Sequence, residues 1–146
     1  MAPTENGKTI LLAEDERPAR TFVLAMLQKA GYNVIVAVDG RDGLDKSRQF
    51  KDTINMLLSD VQMPNMTGIE LATQLQIDRP DIRVLLMSGM PSGMLLLNDG
   101  WQFLPKPFMS DLLRERIRHL LLEQSPEAES GGDRRVNERS EKGSPS

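Results

Sequence analysis

Four polar features in this chain each follow a short apolar run. Glu14 and Asp15 come after Thr9–Ala13, and Asp60 comes after a run from Asn55 to Ser59. Ser88 comes after a run from Arg83 to Met87, and Lys106 comes just past a run from Trp101 to Leu104. A carboxylate delivered at the end of an apolar run can serve as a nucleophile or a metal ligand. Taken singly, an Asp such as Asp60 more commonly caps a turn, and Pro64, Asn65 and Gly68 force one just beyond it. The set of four changes that balance. Ionised Glu14, Asp15 and Asp60 against the Lys106 ammonium leave about two net negative charges, and close carboxylates repel by about 1–4 kcal/mol per pair at a protein rim. A divalent cation removes the conflict. Oxygen ligands with no His or Cys nearby favour Mg2+, which commonly takes one or two carboxylates together with a substrate phosphate. The chemistry this predicts is phosphoryl transfer to Asp60. Asp60 supplies the attacking oxygen, Mg2+ and Lys106 neutralise charge on the transferred group, and the Ser88 hydroxyl donates a hydrogen bond to it. The product is an aspartyl phosphate.

Those residues converge only if the apolar runs are parallel neighbours. The runs are continuous, not alternating, and they alternate with segments of helical period; both point to a parallel sheet covered on two faces. The predicted strands are Thr9–Ala13, Val34–Val38, Asn55–Ser59, Arg83–Met87 and Trp101–Leu104. A first helix opens at Pro18, carries Ala19, Phe22, Val23, Met26, Leu27 and Ala30 on its apolar face, and stops at Gly31. A weaker helix runs from Asp39-Gly40 to about Phe50, and Asp39 reads as its turn and helix-start residue. A third runs from Gly68 to about Arg79. Residues 90–100 leave room for two turns at most, so a stunted fourth helix is expected. The last helix starts at an N-capping Ser110, with Leu112, Leu113, Ile117, Leu120 and Leu121 facing inward. This is an α/β, doubly wound, five-stranded parallel sheet, a flavodoxin-like (βα)5 arrangement of order 2-1-3-4-5, whose strand ends share one rim with a crevice between strands 1 and 3.

The chain has 146 residues, enough for one ordinary domain. Residues 1–7 read as a flexible N-terminus, 8–124 as the domain and 125–146 as a disordered tail; Ala128 and Val136 are the tail's only apolar side chains. A net charge of −3 argues against nucleic acid or an anionic membrane as the main partner. The absence of Cys removes disulfides, thiolate metal sites and Cys nucleophiles. The N-terminus lacks the apolar stretch of a signal peptide, and no apolar run approaches the ~20 residues needed to span a bilayer. A cytoplasmic location is expected.

The acidic pair Glu14-Asp15, the run Leu57-Leu58-Ser59-Asp60-Val61-Gln62-Met63-Pro64 with Gly68, the pair Ser88-Gly89 and the triplet Lys106-Pro107-Phe108 together resemble the receiver domain of bacterial two-component response regulators, over roughly residues 8 to 123. The resemblance implies that Asp60 takes its phosphoryl group from a phosphohistidine on a sensor histidine kinase or a histidine phosphotransfer protein. It implies Mg2+ held by Asp15, Asp60 and the Gln62 backbone carbonyl, with Glu14 acting through water. It also implies that Ser88 and Phe103 form a switch pair and that Lys106–Pro107 is a cis peptide. The protein would be a signalling phosphoacceptor in a phosphorelay, not an enzyme beyond its own phosphorylation and dephosphorylation.

Several details qualify this expectation. Phe103 has no hydroxyl, so an inward rotation would bury a ring without a new hydrogen bond, and it reads equally well as a plain core residue. The short stretch from Ser88 to Lys106 also resembles receivers attached to hybrid sensor kinases, and it weakens the family's usual dimer face, which favours a monomer. Gln62 and Met90 flank the path of attacking water and are expected to set the lifetime of the phosphoryl group. His119 reads as a solvated surface residue, and Arg134-Arg135 as solvated charge. Met63, Met66, Met87, Met90 and Met94 read as packing groups, and Trp101 as half-buried beside strand 5. Two alternatives remain. One is a degenerate receiver that binds partners without phosphorylation. The other is a hydrolase of the haloacid-dehalogenase type, which would need a second Asp where Gln62 stands. No helix-turn-helix follows residue 124, so output is expected through an unidentified effector protein and not through DNA.

Overall fold

The computed structural model describes residues 7–89, 101–106 and 110–122. The elements are β1 (Thr9–Ala13), α1 (Arg17–Lys29), β2 (Asn33–Ala37), α2 (Gly40–Gln49), β3 (Met56–Asp60), α3 (Gly68–Asp78), β4 (Arg83–Ser88), β5 (Trp101–Pro105) and α4 (Ser110–Leu122). The strands form one parallel sheet in the order β2-β1-β3-β4-β5. The expected short helix within 90–100, the tail, the first six residues and Pro107 lie outside the described residues.

Alternation along the central strands sends side chains to opposite faces of the sheet. Ile10, Leu12, Met56, Leu58, Leu85 and Met87 pack with Val23 and Leu27 of α1 and Leu113, Ile117, Leu120 and Leu121 of α4. Leu11, Ala13, Leu57, Val84 and Leu86 pack with Leu44 of α2 and Leu71, Ala72 and Leu75 of α3. Both faces of β1, β3 and β4 are therefore buried, which is why these runs carry no polar alternation. β2 is an edge strand and is only partly covered.

Several strand boundaries differ from expectation by one residue: β2 and β3 at both ends, β4 and β5 at their C-terminal ends. Val38 lies beyond β2 and is 48% exposed. β3 and β4 each include their polar terminal residue, because the parallel ladder continues through Asp60↔Met87 and the Val61 N–H donates to the Met87 carbonyl at 2.9 Å. Phe22 and Leu112 do not belong to the buried faces of their helices; they are 53% and 42% exposed. Both sit at the margin of an apolar stripe wider than the strip of sheet that each helix covers. His119 is on the exposed side of α4, Met63 and Met87 are core residues, and Trp101 is buried with its indole N–H donating to Gln76 Oε1 at 3.0 Å.

Arg79 closes the rim opposite the strand ends. Its guanidinium donates to the carbonyls of Ser47 (2.9 Å), Phe50 (2.7 Å) and Asp52 (2.8 Å) and to Ser47 Oγ (3.2 Å). These acceptors lie in the last turn of α2 and just beyond it, where carbonyls run short of backbone donors; the Ser47 carbonyl has only a long second bond, from the Phe50 N–H at 3.3 Å. Arg79→Ala removes all four of these bonds at a cost of about 2 kcal/mol, and the protein should melt about 10 °C lower. Lys recovers little, because it lacks the planar fork. Phosphoryl uptake by folded Arg79→Ala protein should match wild type; a thermal melt and a labelling assay on one preparation check both.

Candidate phosphoryl-acceptor site

Parallel strands put their C-terminal ends on one rim, and the sequence places a polar group at four of them. β1 hands over to Glu14 and Asp15, β3 ends on Asp60, β4 ends on Ser88, and Lys106 follows β5. Backbone bonds lock this rim together. The Glu14 N–H donates to the Ala37 carbonyl at 3.2 Å, the Gly68 N–H to the Val61 carbonyl at 2.8 Å, and the Lys106 N–H to the Ser88 carbonyl at 2.7 Å. Gly68 is needed for space: a Cβ there would lie 2.1 Å from the Asp60 carbonyl oxygen. The positive φ in the turn belongs instead to Asn65, at 72°, a residue type that tolerates the left-handed region.

One carboxylate oxygen from each of Glu14, Asp15 and Asp60 lies within 4.8 Å of the others. Lys106 Nζ is 3.3 Å from Glu14 Oε1 and 3.5 Å from Asp60 Oδ1. Glu14 is fully buried and Asp60 is 8% exposed. Burial raises the pKa of both carboxyls above the usual carboxylate range. For Glu14, the neighbouring Asp60 adds to the rise, while the Glu16 N–H (3.1 Å) and Lys106 oppose it. For Asp60, Lys106 opposes and Asp15 adds. Burial by itself would lower the Lys106 pKa, but Glu14 and Asp60 together lift it above its ordinary value. One ammonium is thus shared by two buried carboxylates with a third close by, and negative charge remains unbalanced. An all-oxygen, net-negative cluster of this kind fits a hard divalent cation such as Mg2+.

Of the predicted residues, Glu14, Asp15, Asp60 and Lys106 come together directly. Ser88 is buried at the same rim, pairing in register with Pro105 next to Lys106. Phe103 is partly buried against the core on the α2–α3 side, and its carbonyl accepts from Arg116 at 3.3 Å. Gln62 is exposed in the loop after Asp60. Met90 and Pro107 lie outside the described residues.

The sequence reading missed Arg20. Its Nη1 donates to the carbonyls of Glu14 (3.0 Å) and Asp15 (3.4 Å) and so pins the loop that presents the acidic pair. Its spacing of five and six residues from that pair, one helical turn into α1, was the available signal. Ser59 Oγ donating to the Asp60 carbonyl at 2.8 Å was also missed. Asp39 does what was expected of it, accepting the Asp42 N–H as the N-cap of α2.

Comparison with known proteins agrees with this geometry. The chain is 34% identical over 119 residues to the response regulator receiver protein CpdR of Brucella abortus (strain 2308), covering 78% of this chain and 98% of CpdR. It is 32% identical over 120 residues to the sensor kinase CckA of the same organism, covering 80% of this chain but only 13% of CckA. Among solved structures, the response regulator protein TrrA of Thermotoga maritima, crystallised in complex with Mg(2+)-BeF, superposes with a TM-score of 0.69 at 26% identity, covering 77% of this chain and 98% of that one. Residues 10–118 match the response regulator receiver domain. The chain therefore belongs to the receiver-domain family of two-component response regulators, whose general role is that of a signalling phosphoacceptor.

Proposed function

We propose that Asp60 is the phosphoacceptor of this receiver and that a sensor histidine kinase or a histidine phosphotransfer protein is its donor. An Asp60 carboxylate oxygen attacks the phosphorus of the phosphohistidine. The P–N bond breaks, its electron pair stays on the imidazole nitrogen, and that nitrogen takes up a proton. Asp15, Asp60 and the Gln62 carbonyl would hold Mg2+, with Glu14 acting through water, and the ion would neutralise charge on the transferred group. Lys106 adds its ammonium on the Glu14–Asp60 side, and the Ser88 hydroxyl donates to a phosphoryl oxygen. Ser88 and Phe103 then carry the change in state to the surface that an effector protein reads. Gln62 and Met90 govern water access and hence the lifetime of the acyl phosphate. The protein acts as a monomer in the cytoplasm, with the polar segment after residue 124 outside the domain. Membership of the receiver family argues against the haloacid-dehalogenase reading, and Gln62 offers no proton to exchange at the position where that chemistry needs an Asp.

The observation that carries this reading is the trio of carboxylates gathered within 4.8 Å of one another beside Lys106. The test is incubation with acetyl phosphate and Mg2+, read by intact mass. The protein should gain one phosphoryl group, lose the capacity in EDTA, and after borohydride reduction yield a peptide altered at Asp60. A protein that takes up no phosphoryl group, yet binds partners equally with and without the donor, would be the degenerate receiver instead.

A further inference from the structure

Asp39 and Asn65 lie outside the acidic pocket, yet they tie two loops of the same rim together. Asp39 Oδ1 accepts the Asp42 N–H at 2.7 Å and caps α2. Its other oxygen accepts Asn65 Nδ2 at 2.9 Å. Burial opposes but does not overcome these two bonds, and the Asp39 carboxyl is held below the usual range, first by Asp42 and then by Asn65. Asn65 occupies the left-handed region in the loop that leaves Asp60. The next residue, Met66, presses its carbonyl oxygen so close to Gly40 that a Cβ on Gly40 would meet it at 2.2 Å. The far end of the loop is fixed separately, by Gly68 against the Asp60 carbonyl and by the Gly68 N–H on Val61. The apex is tied to α2, and Gln62 stands exposed between it and the fixed end, with the side chains of Val61 and Met63 on either side buried in the core.

We propose that Asp39 is a positioning residue for the phosphoryl site: through Asn65 it fixes the course of the β3–α3 loop and thereby the Gln62 carbonyl that helps to hold the cation. This rests on the reading of Asp60 and its Mg2+ given above. The role is separable from helix capping. Asp39→Ser keeps a good N-cap, but a single short hydroxyl cannot serve both Asp42 and Asn65. Asn65→Gly keeps the positive φ and removes the amide. Asp39→Asn retains a capping oxygen and an amide that can pair with a flipped Asn65.

The measurement is the rate of labelling by acetyl phosphate as a function of Mg2+ concentration, with a thermal melt of each protein. Asp39→Ser and Asn65→Gly should each raise the half-saturating Mg2+ about threefold, less than the roughly tenfold or more that losing a group bonded directly to a metal ligand costs, with most of the rate returning at saturating Mg2+. The double variant should be no worse than either single one, because both remove one bond. Asp39→Asn should stay near wild type. Variants that melt lower but keep the wild-type Mg2+ dependence, or single effects that simply multiply in the double, overturn the role of Asp39 alone. A wild type that takes up no phosphoryl group overturns the underlying reading of the site as well.

Discussion

Asp60→Asn protein should take up no phosphoryl group from acetyl phosphate at any Mg2+ concentration, and in EDTA at neutral pH it should melt higher than wild type. The first effect follows from losing the attacking carboxylate. The second follows from the electrostatics of the empty pocket. Burial raises the pKa of Asp60 above its ordinary 3.8, and Asp15 adds to the rise. A carboxyl with a raised folded-state pKa stabilises the fold below its unfolded value, and that contribution is lost as pH climbs through the folded value. Glu14 behaves in the same way from its ordinary 4.5 upward. Lys106 has the same sign but acts only in alkali: its raised pKa keeps its contribution intact below the ordinary 10.5, and the contribution is lost as pH climbs through the folded value. Between the carboxylate range and neutrality, then, ionised Asp60 costs stability. Asn has the same shape and no charge to bury, and it ceases to repel Glu14. It also gives up the attraction to Lys106 at 3.5 Å, so the net gain is on the order of 1 kcal/mol, or about 4–8 °C in melting temperature. The advantage of Asp60→Asn over wild type should grow as pH rises from about 4 towards 7, a comparison in which titrating groups outside the pocket cancel. Adding Mg2+ should narrow it, since a ligand that binds only the folded state stabilises wild type preferentially. A variant that melts below wild type in EDTA, or a difference indifferent to pH, would contradict this account of the pocket.

The rim was legible because its logic is one-dimensional. A run such as Met56-Leu57-Leu58-Ser59-Asp60 states in its own order that it is buried and that a carboxylate stands at its end, and parallel pairing converts those ends into neighbours. Asp15, Asp60 and Lys106 needed no more than that. What could not be read were bonds between elements that depend on three-dimensional placement. Arg79 reaches 32 residues back to Ser47, and Asn65 reaches 26 back to Asp39; neither pairing leaves a periodic trace. Phe22 and Leu112 failed for a different reason. Helical period identifies a stripe, but the width of stripe that is covered depends on how the helix lies on the sheet, and α1 and α4 share one face. Gly68 was recognised as part of the turn, but its requirement is room for the Asp60 carbonyl and not an unusual φ.

Lys106→Met should separate two quantities that fall together in most site variants. Lys106 stands 3.3 Å from Glu14 and 3.5 Å from Asp60, so it balances the carboxylates before transfer and the phosphoryl oxygens during it. Without it, labelling by acetyl phosphate should slow by about 10²–10³-fold, the usual effect of deleting one preorganised donor at developing charge. Mg2+ should nevertheless bind more tightly, by about tenfold, since the cation now enters a pocket one positive charge poorer. In EDTA the variant should be less stable than wild type. Removing one partner of a buried pair costs about 3–5 kcal/mol, but the Lys106 side chain is 26% exposed and the carboxyls can take up protons, so about 1–2 kcal/mol is expected after screening. Saturating Mg2+ should restore the melting temperature without restoring the rate. Arg at this position should not rescue the rate, because its planar fork does not reproduce a compact ammonium between two carboxylates. If Mg2+ affinity weakened in step with the rate, Lys106 would be acting by holding the loops in place. If the rate stayed at the wild-type level, the ammonium would have no part in the transfer.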